Sequence, residues 1–268
     1  MAIDVHVHLR GNEKGDEILQ SMDDIGLDRA VLLAPPPHRT DWAGDAPDKH
    51  QQSIDWIADT VSADPDRLIG FAWIEPTLDD ALEGVDYALG EKGLKGVKMI
   101  PNKWFPADER AQACYAKIEQ YGKPMLFHSG ILWGRSDTSQ YCRPAFFEIM
   151  LHYPGIRFAM AHISWPWTDE CLAVNGKFKY NQEGEWTSYV DITSGAPRIW
   201  KVDALRKALC YLGDTHLLFG SDSGLPDGAD YAQLRLREDR EMLREAGASD
   251  ETIDRIFNKN PLRWLGIQ

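Results

Sequence analysis

A chain of 268 residues that is 43% hydrophobic and 26% charged can bury one large core or two small ones, and that balance excludes disorder. A net charge of -13 argues against a nucleic-acid groove or an anionic membrane surface, since both need basic side chains to neutralise phosphates. It leaves room for a small anionic ligand gripped by a local arginine or a metal ion.

Cys114, Cys142, Cys171 and Cys210 lie far apart without CxxC spacing, so neither a zinc knuckle nor a dithiol redox motif is present. The opening MAIDVHVHLR is too short and polar for a signal peptide. No window approaches the roughly 18 consecutive apolar residues of a membrane span, so the expectation is a cytoplasmic protein.

In chain order, short apolar runs alternate with amphipathic stretches. Residues 2–9 predict a strand and 16–25 a helix; the pairing repeats at 30–34 with 50–62, at 68–74 with 78–89, and at 96–100 with 108–121. In the last of these helices Asp108 is placed as N-cap and Gly122 as the closing residue. A strand over 124–128 precedes a helix over 144–152, and a strand over 156–162 follows. The segment 165–188, with Trp165, Trp167, Phe178, Tyr180 and Trp186, is longer and more aromatic than a connection needs and predicts a lid. Strands at 189–193 and 216–220, with helices at 202–212, 231–246 and 250–258, complete the chain. The strands are continuous apolar runs, the pattern of a sheet covered on both faces. Strict alternation implies right-handed crossovers and a parallel sheet. Eight units favour closure, which gives an α/β fold, a (β/α)8 TIM barrel forming a single domain over residues 1–268.

His6 and His8, two apart on the first strand, share a face, and two inward imidazoles so close suit a metal ion. Alone, the pair is a weak signal that reads more often as surface-facing or hydrogen-bonded histidines. Four further polar groups end apolar runs: Lys98 in GVKMIP, His128 in MLFHSG, His162 in FAMAHIS and Asp222 in FGSDSG. A charge or imidazole buried there is costly unless paired or coordinated, and all these positions fall at one end of the barrel.

The ordered set HxH, Lys, His, His, Asp on strands one, four, five, six and eight resembles the amidohydrolase superfamily. Together with the closing NPLRWLG it looks most like the amidohydrolase 2 branch, which includes decarboxylases related to aminocarboxymuconate-semialdehyde decarboxylase. The resemblance covers essentially the whole chain. It implies that His6, His8, His128 and Asp222 ligate a divalent metal, and that His162 ligates a second metal or positions substrate or water. Zinc fits such ligands best, one or two per chain, with manganese as the alternative. Asp222 would serve as general base towards a metal-activated water. Some superfamily members bridge two metals with a carbamylated lysine on strand four, which is one role for Lys98. The others are an ammonium that binds an anionic substrate or pairs with a carboxylate.

Arg10, in HVHLR, also resembles the start of dihydroorotase, where the equivalent arginine grips a substrate carboxylate; a structural salt bridge is the competing reading. Glu75, Trp104, Trp133, Arg135 and Trp165 are candidate pocket residues, with Glu75, Trp133 and Trp165 joining Arg10 as the substrate-binding set. His38 lies at the functional end in a Pro-rich loop, whereas His50, His152 and His216 read as structural. Cys142 and Cys171 have no adjacent base and read as buried thiols.

The expected activity is metal-dependent hydrolysis of a small amide, lactone or other ester. The alternative is metal-dependent non-oxidative decarboxylation of an unsaturated or aromatic acid. A barrel that binds a ligand without turning it over is the third reading. The expected partner is a small-molecule substrate, with a homodimer as the candidate assembly and no nucleic acid or membrane.

Overall fold

The computed structural model describes residues 2–37, 49–133, 137–181 and 185–267, so the expectations for His38 and Arg135 lie outside the described residues. Eight parallel strands run in sequence order: β1 (Ile3–His8), β2 (Arg29–Leu33), β3 (Leu68–Trp73), β4 (Gly96–Met99), β5 (Met125–Phe127), β6 (Phe158–Met160), β7 (Ser188–Asp191) and β8 (Leu217–Leu218). The seam closes through Val5 N–H to Phe219 O at 3.0 Å and His8 N–H to Ser223 O at 2.8 Å. The chain is a single-domain (β/α)8 barrel, as expected.

The crossovers are α1 (Gly15–Ile25), α2 (His50–Val61), α3 (Ala81–Asp86) running into a π-turn, α4 (Glu109–Tyr121), a 3-10 segment (Pro144–His152), α5 (Thr168–Asn181), α6 (Arg198–Tyr211) and α7 (Ala229–Glu245). The short α8 (Asp250–Asp254) and α9 (Asn260–Leu265) follow. Asp108 caps α4 by accepting from Arg110 N–H, and Gly122 ends it in the left-handed conformation. The expected lid over 165–188 is instead mostly α5, an ordinary crossover. Phe178 is buried against Phe158 with centroids 5.0 Å apart, and Trp186 stacks on His216 at 3.6 Å, just ahead of β8 and away from the strands' C-terminal ends. Aromatic content there reflects packing under the helix, and Trp165 alone of that group reaches the mouth. None of the described helices is long and apolar enough to cross a membrane.

Side chains alternate across the sheet as a period of two requires. Val31, Leu33, Ile69, Phe71, Leu126, Ala159, Tyr189 and Leu218 fill the interior with Trp264 from α9. Leu32, Val97, Met99, Phe127, Phe158 and Val190 face the helices. One register shift breaks the rule: the four residues of β1 from Asp4 to Val7 pair with the three of β2 from Ala30 to Leu32. Val5 therefore faces the interior core, and His6 and His8 beyond the bulge also turn inward while Val7 packs outside. A bulge re-aims side chains in this way, and without it the pair would point at the helices.

Interior packing is tightest where Phe71 crosses to β4. A Cβ on Gly96 would lie 2.3 Å from Phe71 Cζ, so only glycine fits beside that ring. Gly96→Ala is expected to destabilise the barrel by roughly 1–3 kcal/mol through overpacking. Urea denaturation measures this; an unchanged midpoint would show that the ring can yield.

Candidate active site

The C-terminal ends of the strands surround a cavity of about 600 Å³. Its polar floor is His8, His128, His162 and Asp222, and its walls are Leu9, Pro35, Pro36, Trp73, Ile100, Ile131, Leu132, Trp133 and Trp165. His6 and Lys98 lie fully buried beneath.

His6 Nε2 is the meeting point. It lies 3.1 Å from His8 Nε2, 3.2 Å from Lys98 Nζ and 3.4 Å from Asp222 Oδ1. His8 Nε2 is also 3.4 Å from Asp222 Oδ1. The other nitrogen of His6, Nδ1, is 2.7 Å from Asp191 Oδ2. Burial raises the Asp191 carboxyl to about 8, with the Thr193 donors and Lys98 opposing; as a carboxylate it accepts, so Nδ1 carries the proton and Nε2 presents its lone pair to the centre. His162 is set the same way: Nδ1 lies 2.7 Å from Ser194 O, a carbonyl that can only accept, which leaves Nε2 as the lone-pair nitrogen. Ligand atoms of His6, His162 and Asp222 lie within 4.8 Å of one another. The ring of His128 sits 4.9 Å from that of His162, with Nε2 3.2 Å from Ile131 O.

The turn that carries His162 is unusual. His162, Ile163 and Ser164 have φ of 62°, 45° and 51°, a left-handed turn without glycine. Such residues cost about 1–2 kcal/mol each, so neighbours must hold them. His162 N–H donates to Thr193 Oγ1 at 3.1 Å, and Ser129 Oγ donates to Ser164 Oγ at 2.7 Å. Gly130, with φ of 97°, leaves space for this turn: a Cβ there would lie 2.4 Å from Trp165 O. Asp222 is likewise left-handed, with φ of 60°, and its N–H donates to His6 O at 2.9 Å.

Burial lowers the pKa of His6, His128 and His162 below the usual imidazole value, and Lys98 adds to the effect on each. All three are thus neutral donors near pH 7. Burial works to raise the Asp222 carboxyl, but His162, His8 and Lys98 hold it down at about 2. Burial pulls Lys98 down to about 8, with Asp222 and Asp191 opposing.

The remaining candidates separate. Trp133 and Trp165 line the mouth with rings 6.2 Å apart and 17° from parallel. Arg10 also lines it, highly exposed and 3.7 Å from Asp227. Glu75 is not brought to this cavity: it is buried, accepts from Thr77 N–H and Oγ1 at 3.1 and 2.6 Å, and its own N–H donates to His50 Nε2. Trp104 is buried as well and does not line the cavity. His50 is structural, its Nδ1 donating to Asp80 at 2.6 Å. Cys142 and Cys171 are buried free thiols; burial pushes the Cys142 thiol well up and that of Cys171 up to about 12, which keeps both protonated.

Sequence reasoning missed Asp191, Thr193 and Ser194 on β7 and its loop, and Asp4 on β1. Asp4 Oδ1 accepts the N–H of His6 and of Ser221, both at 3.0 Å, tying β1 to the loop that carries Asp222. Asp191 sits in SYVDITSG, where a carboxylate inside a buried strand was the available signal.

The family model described as Amidohydrolase (Amidohydro_2) matches residues 3–267. No curated protein matches the chain. Among solved structures, 2,6-dihydroxybenzoate decarboxylase from Rhizobium superposes with a TM-score of 0.69 at 13% identity, covering 99% of this chain and 98% of that one. A 5-carboxyvanillate decarboxylase from Novosphingobium aromaticivorans, complexed with manganese and 4-hydroxy-3-methoxy-5-nitrobenzoic acid, gives 0.66 at 14% over 100% and 96%. A probable 2-pyrone-4,6-dicarboxylic acid hydrolase from Acinetobacter baumannii, with citric acid bound, gives 0.63 at 14% over 99% of both chains.

The depressed imidazole pKa values have a signed consequence. Protons compete with a metal only for a basic nitrogen, so affinity should stay flat as pH falls through 6.5 and decline only below it. Cobalt(II) titrations between pH 7.5 and 5.5 test this. A decline centred at 6.5 would mean that the histidines titrate as free imidazoles.

Proposed function

As this chain belongs to the amidohydrolase family, an enzyme family whose model spans nearly all of it, we propose that it is a hydrolase using one divalent cation against a small ester, lactone or amide with a planar apolar body. The observation that carries this reading is the convergence of His6, His8, His162 and Asp222 under an apolar cavity. Imidazole nitrogens and an ionised carboxylate facing one point are the donor set of a divalent metal, and the Nε2 atoms of His6 and His8, 3.1 Å apart, lie within reach of one cation. His6, His8 and Asp222 would hold it, with His128 and His162 completing or flanking the set. Nitrogen and carboxylate donors suit zinc and manganese alike. A cation there supplies Lewis-acid polarisation of a carbonyl and acidifies a water.

The protein's own groups do the rest. Asp222, ionised at neutral pH, is placed to accept a proton from the attacking water. His162, with Nδ1–H locked to Ser194 O, offers Nε2 to hydrogen-bond or deprotonate at the cavity floor. Trp73, Trp133 and Trp165 exclude water and stack on a flat substrate. Arg10 is the only lysine or arginine among the described lining residues, which matches a substrate with one carboxylate at the mouth.

The apolar walls favour decarboxylation as a second reading, because a carboxylate that leaves as carbon dioxide sheds its charge in a cavity that solvates charge poorly. Two of the superposable structures are decarboxylases of hydroxylated benzoates.

Wild-type protein loaded with zinc or manganese and offered esters, lactones, amides and aromatic acids should turn over at least one class, and Asp222→Asn should reduce that rate by about 10²–10⁴-fold while remaining folded. Carbon dioxide release from an acid would select the second reading. A wild type inert on the whole panel, with ligand binding intact in the variant, would make the barrel a binding protein. On any substrate found, Trp133→Ala should raise KM by roughly 2- to 10-fold with kcat little changed; a loss confined to kcat would remove Trp133 from substrate binding.

A further inference from the structure

Two of the inward histidines come from strands that do not touch each other, β1 and the end of β6, yet one polar chain on β7 joins them. Asp191 Oδ2 accepts from His6 Nδ1–H at 2.7 Å and lies 2.9 Å from Thr193 Oγ1. Asp191 Oδ1 accepts from Thr193 N–H at 2.9 Å. Thr193 Oγ1 in turn lies 3.1 Å from His162 N and 2.9 Å from His162 Nδ1. All four side chains are buried, Asp191 completely and Thr193 at 1% exposure.

With Asp191 accepting as a carboxylate, every bond in this chain has one consistent direction. His162 N–H can only donate, and His162 Nδ1 carries the proton that Ser194 O accepts. Thr193 Oγ1 therefore accepts from His162, and its single proton goes to Asp191, the remaining neighbour that accepts. Asp191 then receives three donors, from His6 Nδ1, Thr193 Oγ1 and Thr193 N, which satisfies an ionised carboxylate buried without solvent. The polarity runs from His162 through Thr193 to Asp191, with His6 entering from the other side.

We propose that Thr193 is a positioning residue that sets both His6 and His162 for the cation, acting on His162 directly and on His6 through Asp191. This rests on the single-cation reading above and adds to it a residue that touches neither cation nor substrate. A valine in its place keeps the shape but removes Asp191's hydroxyl donor and leaves the buried His162 N–H without its acceptor. Serine restores both bonds. Gly220 packs against this group, since a Cβ there would lie 2.5 Å from Thr193 Cγ2 and 2.7 Å from His6 Cβ, so the chain has little room to rearrange.

The test compares wild type, Thr193→Val and Thr193→Ser by two readouts. In metal-free protein, imidazole ¹⁵N spectra should show both His6 and His162 protonated at Nδ1. Thr193→Val should move both sets of signals, and Thr193→Ser should return them towards wild type. In cobalt(II) titrations the valine variant should bind about 10–100-fold more weakly, with the serine variant close to wild type. A shift confined to His162, unaltered cobalt affinity in Thr193→Val, or failure of serine to rescue would overturn the proposal. If the valine variant does not fold, Thr193→Ala takes its place in both comparisons. Should wild type bind no cobalt, the single-cation reading fails, and the spectra still decide whether Thr193 orders the two rings.

Discussion

A carboxylate buried at the end of β7 has to find donors, and the way Asp191 finds them shapes the centre of the barrel. One oxygen takes the Nδ1 proton of His6 and the hydroxyl of Thr193, and the other takes a backbone N–H. Because Nδ1 is occupied, the His6 lone pair turns to the axis, where His8, Lys98 and Asp222 approach within 3.1 to 3.4 Å. The β1 bulge is the backbone counterpart of this demand, since only the extra residue brings His6 round to Asp191 and still leaves Val5 in the core.

Around this centre the fold accepts backbone strain. The left-handed turn at 162–164 and the left-handed Asp222 both sit where strands end and a side chain must point into the cavity. Their cost is offset by hydrogen bonds from neighbouring strands, to Thr193, Ser129 and His6. The same strands carry continuous apolar faces towards the helices, so the rigid shell and the polar centre are built from alternate residues of the same segments.

Much of this could be read from residues alone. His6 and His8 stood out by their spacing on one strand face, and Lys98, His128, His162 and Asp222 because each ends an apolar run; the structure brings these groups to one end of the barrel. Asp191 and Thr193 escaped because their role is to orient other residues, which follows no ligand spacing. Glu75 gave the same signal as Asp191, a carboxylate at a strand end, but its bonds to Thr77 use it locally and it stays out of the cavity. The bulge was invisible, as a strand with one extra residue reads like any other apolar run. Helix α5 was mistaken for a lid because its apolar residues, Cys171, Leu172, Val174 and Phe178, are interleaved with Asn175, Gly176 and Lys177, which blurs the helical period.

The central claim is that these donors hold one divalent cation, with Lys98 beside the set but outside it. Elemental analysis of protein purified without chelator, for wild type and Lys98→Ala, tests it most directly. The account predicts one equivalent of zinc or manganese per chain in both. No bound metal, or two equivalents that fall to one or none when Lys98 is removed, would contradict it; the second result would identify a lysine-bridged pair of metals.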